Sequence, residues 1–121
     1  MAQQAVVDKR EQLEAISRYL VPDEQVLAVL DLRGGGTGFL GITDRRIIFF
    51  DKAYLRRKKA MVTVPFSKIT TVASEDDESL FTRGFFGSSV LTVKVSDEIY
   101  EFVFRGADKA HLAYQLICER L

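Results

Sequence analysis

The chain has 121 residues, of which 47% are hydrophobic, with 17 basic side chains balanced by 17 acidic ones. This length and composition are typical of one folded domain and exclude a disordered chain. The zero net charge argues against a general nucleic-acid binder, which would carry a large basic excess. The single cysteine, Cys118, excludes an intrachain disulfide, and with His111 as the single histidine it argues against a Cys/His zinc site.

No stretch of the sequence approaches the ~20 apolar residues of a membrane span, and residues 1–7 lack the pattern of a signal peptide. We therefore expect a cytoplasmic domain, at most peripheral to the inner face of the membrane. The charges are unevenly distributed within the neutral chain. Residues 44–59 contain seven basic and two acidic side chains, whereas residues 74–101 contain two basic and seven acidic ones. This asymmetry predicts a surface with a basic and an acidic side, although solvated loops would give the same pattern.

The first predicted element is a helix over residues 8–20. Asp8 and Glu11 have the spacing of a capping box, and Pro22 ends the helix. Its apolar side chains share one narrow face: Leu13, Ile16 and Leu20. Because the face is narrow, we expect this helix to pack on a larger body.

Seven strands are predicted next, from β-prone and alternating patterns. They cover residues 25–33, 37–43, 46–52, 61–66, 69–73, 88–96 and 98–105. In the last two, the inward-facing side chains are Leu91, Val93, Val95, Tyr100, Phe102 and Phe104, and residues 97–98 form the connection. Strands do not alternate with helices, so the sheets should be antiparallel, as a sandwich or a small barrel.

A second helix is predicted to follow Gly106. Asp108 is its expected N-cap, and Cys118 is expected to be a small apolar filler on it. Its apolar stripe consists of Ala113, Leu116, Ile117 and Leu121. Such a helix would cover an open end between the strands.

Two motifs resemble those of bacterial pleckstrin-homology-like domains, in particular the YokE-like group. They are GFLGITDRRIIFF at 38–50 and VPFSKITTV at 64–72. The resemblance implies a seven-stranded antiparallel barrel of two packed sheets, capped by the C-terminal helix, over residues 22–121. It does not explain residues 1–21, which are predicted to be a helical extension. Thr43 and Asp44 are good turn residues, and residues 47–50 lack a polar face, as expected between a barrel and a packed helix.

A basic cluster forms the first candidate contact surface: Arg56, Arg57, Lys58 and Lys59. The resemblance places it in one of the loops that hold the head group in phosphoinositide-binding relatives. However, Arg33 is followed by glycines rather than spaced basic residues, and the loop at 96–98 is acidic. A diffuse contact with anionic lipid or an acidic protein therefore fits the cluster better than specific inositide recognition. A solvated hairpin with no contact role is the favoured interpretation, and the diffuse contact is the alternative.

Phe85 and Phe86, bracketed by Gly84 and Gly87, are the second candidate contact. One ring can pack inward while the other inserts into a membrane interface or a partner pocket. Packing of both rings in the core is the alternative.

The remaining candidate sites do not match a catalytic or metal-binding pattern. The glycines at 34–36 lack the helix and Lys-Ser/Thr ending of a phosphate loop, and the acids at 75–78 lack calcium-loop spacing. His111 and Cys118 lie two helical turns apart, about 10 Å, which is too far for a nucleophile and its base. We therefore predict no enzyme, cofactor or metal. The sequence favours a binding module that contacts a protein partner or a second copy, with a peripheral membrane adaptor as the alternative.

Overall fold

The computed structural model describes residues 5–33, 38–50, 61–75 and 88–121. Two helices and eight strands occupy these ranges, together with a 3₁₀ turn at Phe66–Lys68. The strands are β1 (Val6–Val7), β2 (Val26–Asp31), β3 (Phe39–Thr43), β4 (Arg46–Phe50), β5 (Met61–Pro65), β6 (Thr71–Glu75), β7 (Ser88–Val95) and β8 (Glu98–Arg105). The helices are α1 (Arg10–Ser17) and α2 (Lys109–Cys118).

The strands form two sheets, one of five strands in the order β1-β2-β3-β4-β5 and one of three in the order β6-β7-β8. The seven predicted strands correspond to β2 through β8, and their pairs are antiparallel. β1 is an addition that the sequence pattern does not predict, and it runs parallel to β2. The sheets meet where Leu32 pairs with Phe104 and the Arg33 amide donates to the Val103 carbonyl at 2.7 Å. The fold is therefore the predicted mainly β arrangement of two sheets and two helices.

The main hydrophobic core lies between the inner faces of the two sheets and is closed by α2. Phe49 of β4 is at its centre, with its ring 5.0 Å from that of Tyr100 and 5.1 Å from that of Phe102. The predicted stripe of α2 is buried at Ala113, Leu116 and Ile117, but Leu121 lies beyond the helix and is 62% exposed. Cys118 is also exposed, so it is not the apolar filler that the helical pattern suggests.

Helix α1 lies on the outer face of the five-stranded sheet. Ile16 is fully buried there against Val29 and Ile48. Gly41 provides the space for this contact, because a Cβ atom at position 41 would overlap Cδ1 of Ile16. The apolar face predicted for this helix, Leu13, Ile16 and Leu20, is the face that packs on the sheet. The division of the chain into an extension, 1–21, and a domain, 22–121, stays a prediction.

Neither helix has the side-chain cap that its sequence suggests. The N-cap of α1 is Lys9, without a side-chain hydrogen bond, whereas the Asp8 carboxylate accepts from the Asp31 amide at 3.0 Å. Asp108 is the N-cap of α2 but its side chain makes no capping bond, and Ser89 Oγ of β7 accepts from the Ala110 amide instead, at 2.9 Å. At α2, a strand residue thus satisfies a backbone group that local capping would otherwise satisfy.

The last hairpin turns one residue earlier than the sequence pattern suggests. Its central residues are Ser96 and Asp97, and Glu98 already pairs with Val95 in the ladder. Ser96 adopts a φ of 56°, a left-handed conformation that brings the two strands into a tight turn. No helix in the described ranges is both long and apolar enough to cross a membrane.

Candidate functional site

The contact residues singled out by sequence lie outside the described residues. These are the basic cluster, Arg56, Arg57, Lys58 and Lys59, and the aromatic pair, Phe85 and Phe86. The glycines at 34–36 and most of the acidic run, at 76–78, also lie outside them. Their contact roles stay predictions.

The Thr43-Asp44-Arg45-Arg46 turn is held by contacts to the segment that precedes β2. The Thr43 hydroxyl donates to Glu24 Oε2 at 2.7 Å and accepts from the backbone amides of Arg45 and Arg46, each at 3.1 Å. The Asp44 carboxylate accepts from the Gln25 amide at 3.0 Å. These bonds agree with the expectation that Thr43 and Asp44 act as turn residues.

Arg46 of this turn forms a bidentate pair with the buried carboxylate of Glu24. Arg46 Nη2 lies 2.7 Å from Glu24 Oε1, and Arg46 Nε lies 2.8 Å from Oε2. The bonds from Arg46, aided by those from Thr43 and the Val21 amide, outweigh desolvation and lower the pKa of Glu24 to about 2. Arg46 Nη2 also donates to the Tyr19 carbonyl at 2.8 Å, just beyond α1. Arg46 therefore has a structural role, because it joins the turn to the end of α1.

A groove with a volume of ≈ 440 Å³ lies between β5 and the β7–β8 hairpin. One wall is β5 together with Lys68 of the 3₁₀ turn, and the other is the hairpin. The volume is within the range of ligand sites in proteins. The apolar and aromatic residues that line it are Val62, Val64, Pro65, Val95 and Tyr100.

Strand β5 gives this groove an open backbone edge. It pairs with β4 from Arg46–Pro65 to Phe50–Met61, and no strand of the described ranges pairs with its other edge. Alternate backbone N–H and C=O groups on such an edge point away from the sheet and can pair with another strand. Pro65, which lacks an N–H donor, limits the pairing at one end.

The charged groups of the groove lie at its two walls. Lys68 is on the β5 side, whereas Asp97 and Glu98 are on the hairpin side. Tyr100 packs its ring on Phe49 in the core and directs its hydroxyl toward Glu98, to which it donates a hydrogen bond. An apolar floor between a cation and two anions, beside an open strand edge, can hold an extended peptide with charged flanking residues.

The imidazole of His111 contacts the hydroxyl of Ser74, which is distant from it in sequence. Ser74 Oγ of β6 lies 2.6 Å from His111 Nδ1, across 37 residues of sequence, and both side chains are at the surface. Neither side chain is among the described residues that line the groove. The pair therefore links α2 to β6, and a nucleophile–base role would require a substrate site as well.

The groove residues are not among the sequence candidates because nothing local distinguishes them. Val62 and Val64 have the pattern of ordinary inward-facing strand residues, and Tyr100 has that of a core residue. Their accessibility depends on the order of the strands, which leaves β5 at an edge. Among the described residues, no group of three or more His, Cys, Asp or Glu side chains could hold a metal ion.

Comparison with known proteins supports the same architecture. The family model described as "Bacterial PH domain" matches residues 20–119. A DUF1696 family protein with a pleckstrin-homology domain from Shewanella loihica PV-4 superposes with a TM-score of 0.57 at 17% identity, over 92% of this chain and 95% of that one. A pleckstrin homology domain from Shewanella amazonensis SB2B gives 0.59 at 18% identity, over 96% and 90%.

A third solved structure, the C-terminal domain of an unknown protein from Leishmania infantum, gives a TM-score of 0.50 at 14% identity, over 92% of each chain. None of the curated proteins compared with this chain matches it. At these identities the solved structures establish the fold alone.

Proposed function

We propose that this chain, which belongs to the bacterial PH domain family, is a non-catalytic binding module that contacts a partner protein or a second copy of itself. The observation that carries the proposal is the groove beside the open edge of β5. An extended segment can add to this edge through backbone hydrogen bonds, which supply affinity without requiring a particular sequence. Assignment to the YokE-like group and a cytoplasmic location remain part of the proposal.

The groove also provides sequence preference for such a segment. In an added strand, alternate side chains point to the same face, so every second residue would contact the floor at Val62 and Tyr100. Lys68 favours an acidic residue at one end, and Asp97 favours a basic residue on the hairpin side. We therefore expect ligands with alternating apolar residues and opposite charges at their ends.

Selection from a library of random extended peptides tests this proposal directly. A selected peptide should lose at least about tenfold in affinity for Val62→Glu, because the substitution places a charge on the apolar floor. Val103→Glu is the matched control, since Val103 is also a half-buried strand residue but lies outside the groove. Hydrogen exchange should slow at residues 61–65 when the peptide binds.

Sedimentation equilibrium distinguishes a second copy from other partners. Concentration-dependent association that Val62→Glu weakens and Val103→Glu preserves would identify the partner as a second copy. Equal binding of selected peptides to Val62→Glu and the parent chain, or slowed exchange only outside β5, would contradict the proposed site.

The alternative function is a peripheral membrane adaptor that binds anionic lipid through the basic cluster. Its support comes from the sequence, because four adjacent cations near an anionic surface contribute about 1 kcal/mol each. Phe85 or Phe86 would add an apolar anchor in the interface. Sedimentation with phosphatidylglycerol vesicles at low salt tests it, and replacing all four cations with serine should abolish pelleting.

A further inference from the structure

A second cavity, of ≈ 250 Å³, lies on the outer face of the five-stranded sheet beside α1. Its lining combines three residues at the C-terminal end of the helical segment with three on neighbouring strands. These are Ala15, Arg18, Tyr19, Phe39, Phe50 and Met61. The cavity is distinct from the groove, because the two have no lining residue in common.

The cavity follows from the way α1 crosses the sheet. Ile16 packs on the row of Val29, Gly41 and Ile48, which are paired across β2, β3 and β4. The next row consists of Phe39, Phe50 and Met61, also paired across adjacent strands. At this row the helix presents Ala15, whose side chain is too short to fill the space. The gap is therefore bounded by the helix on one side and by aromatic rings below.

The floor of the cavity is apolar and largely formed by two aromatic rings. The rings of Phe39 and Phe50 have centroids 6.1 Å apart and planes inclined by 26°. Phe39 is buried, whereas Phe50 and Met61 are half-buried and retain apolar surface toward the cavity. A methionine side chain adapts its shape readily, so this floor suits a flexible hydrocarbon.

Arg18 is the charged residue of the described lining. It is exposed at the end of α1, and no carboxylate in the described ranges forms an ion pair with it. A guanidinium group binds a carboxylate through two parallel hydrogen bonds. The carbonyl end of α1 would disfavour an anion, but Arg46 donates to the Tyr19 carbonyl there and reduces this effect.

We propose that this cavity binds a small amphiphilic carboxylic acid, with its hydrocarbon tail over Phe39 and Phe50 and its carboxylate on Arg18. With a volume of ≈ 250 Å³ the cavity is smaller than the sites that hold drug-sized ligands, so the tail is a chain of medium length. The occupant is the free acid rather than a membrane lipid, because a cavity of this volume has room for one short chain and not for the two long chains of a phospholipid. This site goes beyond the proposed protein contact at the groove.

Calorimetric titration with sodium decanoate, below its micelle-forming concentration, tests the proposal. The parent chain should bind decanoate saturably with one-to-one stoichiometry, and the Met61 methyl resonance should shift in step with binding. Arg18→Gln should lower the decanoate affinity about tenfold, since it removes a charge-assisted contact. The same substitution should leave the affinity for decanol, which has the tail without the charge, within about twofold.

Two further variants distinguish a loss of ligand binding from a loss of folding. Ala15→Leu fills the gap, and should abolish binding of both decanoate and decanol while the melting temperature stays equal or rises. Arg10→Gln is the matched control, because Arg10 is an exposed arginine of α1 that faces Glu14 rather than the cavity. It should bind decanoate like the parent chain.

The opposite outcomes overturn the proposal. They are the absence of saturable decanoate binding, equal decanoate affinity in Arg18→Gln and the parent, or binding that survives Ala15→Leu. Binding to phosphatidylglycerol vesicles without binding to free decanoate would assign the cavity to a membrane contact instead. Self-association that Ala15→Leu abolishes, without decanoate binding, would assign it to a second copy.

Discussion

The two helices of this chain pack on the sheets in different ways. Helix α2 closes the space between the two sheets and buries Ala110, Ala113, Leu116 and Ile117 in the main core. Helix α1 lies on the outer face of one sheet and buries two side chains, Gln12 and Ile16. The first helix is therefore attached at a few positions, whereas the second is a continuous part of the core.

Three contacts along α1 show how so short a helix is held. Gln12 Nε2 donates to the buried carboxylate of Asp31 at 2.9 Å, and Ile16 occupies the space above Gly41. Beyond the helix, Arg46 donates to the Tyr19 carbonyl at 2.8 Å. Because these contacts are separate, changes at α1 should have local effects, whereas a change in the face of α2 should destabilise the whole fold.

The largest effect is expected for Ile117→Ala in α2. Ile117 is fully buried in the main core, so the substitution should lower the free energy of unfolding by about 3–4 kcal/mol through lost burial and a residual cavity. Urea denaturation measures the loss. Gln115→Ala, an exposed position of the same helix, should change it by less than about 0.5 kcal/mol. Similar losses for both variants would mean that α2 does not close the core.

The next largest effect concerns the pH dependence carried by Glu24. Its pKa in the folded chain is about 2, below the ordinary value of 4.5, because Arg46 donates to the carboxylate. Folding therefore favours the ionised form, and this stabilisation is complete above pH 4.5 and is lost as the pH falls from there toward 2. The loss should amount to about 2–3 kcal/mol.

Unfolding of Glu24→Gln between pH 7 and pH 2.5 checks this assignment. The variant should be less stable than the parent chain at neutral pH, and its stability should depend less on pH across the acidic range. Glu11→Gln, at an exposed position of α1, should retain the pH profile of the parent chain. Parallel profiles for Glu24→Gln and the parent chain would show that another carboxylate carries the acid sensitivity.

A smaller effect is expected where α1 meets Gly41. Ile16→Ala should lower the free energy of unfolding by about 2 kcal/mol through lost burial. Gly41→Ala should lower it by about 1–2 kcal/mol, because the new Cβ would overlap Cδ1 of Ile16. In the variant that carries both substitutions this overlap is absent. Its loss in the free energy of unfolding should therefore be about 1 kcal/mol smaller than the sum of the losses of the two single variants. A cycle of urea denaturation measurements gives the coupling. Additive costs would contradict the close packing of Ile16 over Gly41.

The sequence predicts the strands and the faces of the core well, because these depend on local periodicity. Alternation assigns Leu91, Phe102 and Phe104 to the core, and all three are buried. The narrow apolar face of the first helix also predicts packing on a larger body, and Ile16 is buried against Val29 and Ile48. Each of these inferences uses residues within one element, where side-chain direction follows from the chain itself.

The contacts between elements could not be predicted in the same way. Gln12 meets Asp31 only because α1 lies on β2, and Glu24 meets Arg46 only because the segment before β2 lies beside the turn into β4. β1 is too short for a periodic signal, and its parallel pairing with β2 depends on where the chain enters the sheet. The groove and the cavity beside α1 likewise arise from strand order and helix placement, so no motif marks their residues.

The smallest of the expected effects distinguishes local from long-range capping of α2. Ser89→Ala removes the acceptor of the Ala110 amide and the donor to the Gly106 carbonyl, so it should lower the free energy of unfolding by about 1–2 kcal/mol. Asp108→Ala, at the residue that the sequence favours as the cap, should cost less than about 0.5 kcal/mol, because its side chain makes no capping bond. Shifts in the urea midpoint measure the loss of stability in both variants, provided that the m-values stay unchanged. A larger loss for Asp108→Ala would show that capping of α2 is local, and the reverse order would show that a strand residue positions this helix.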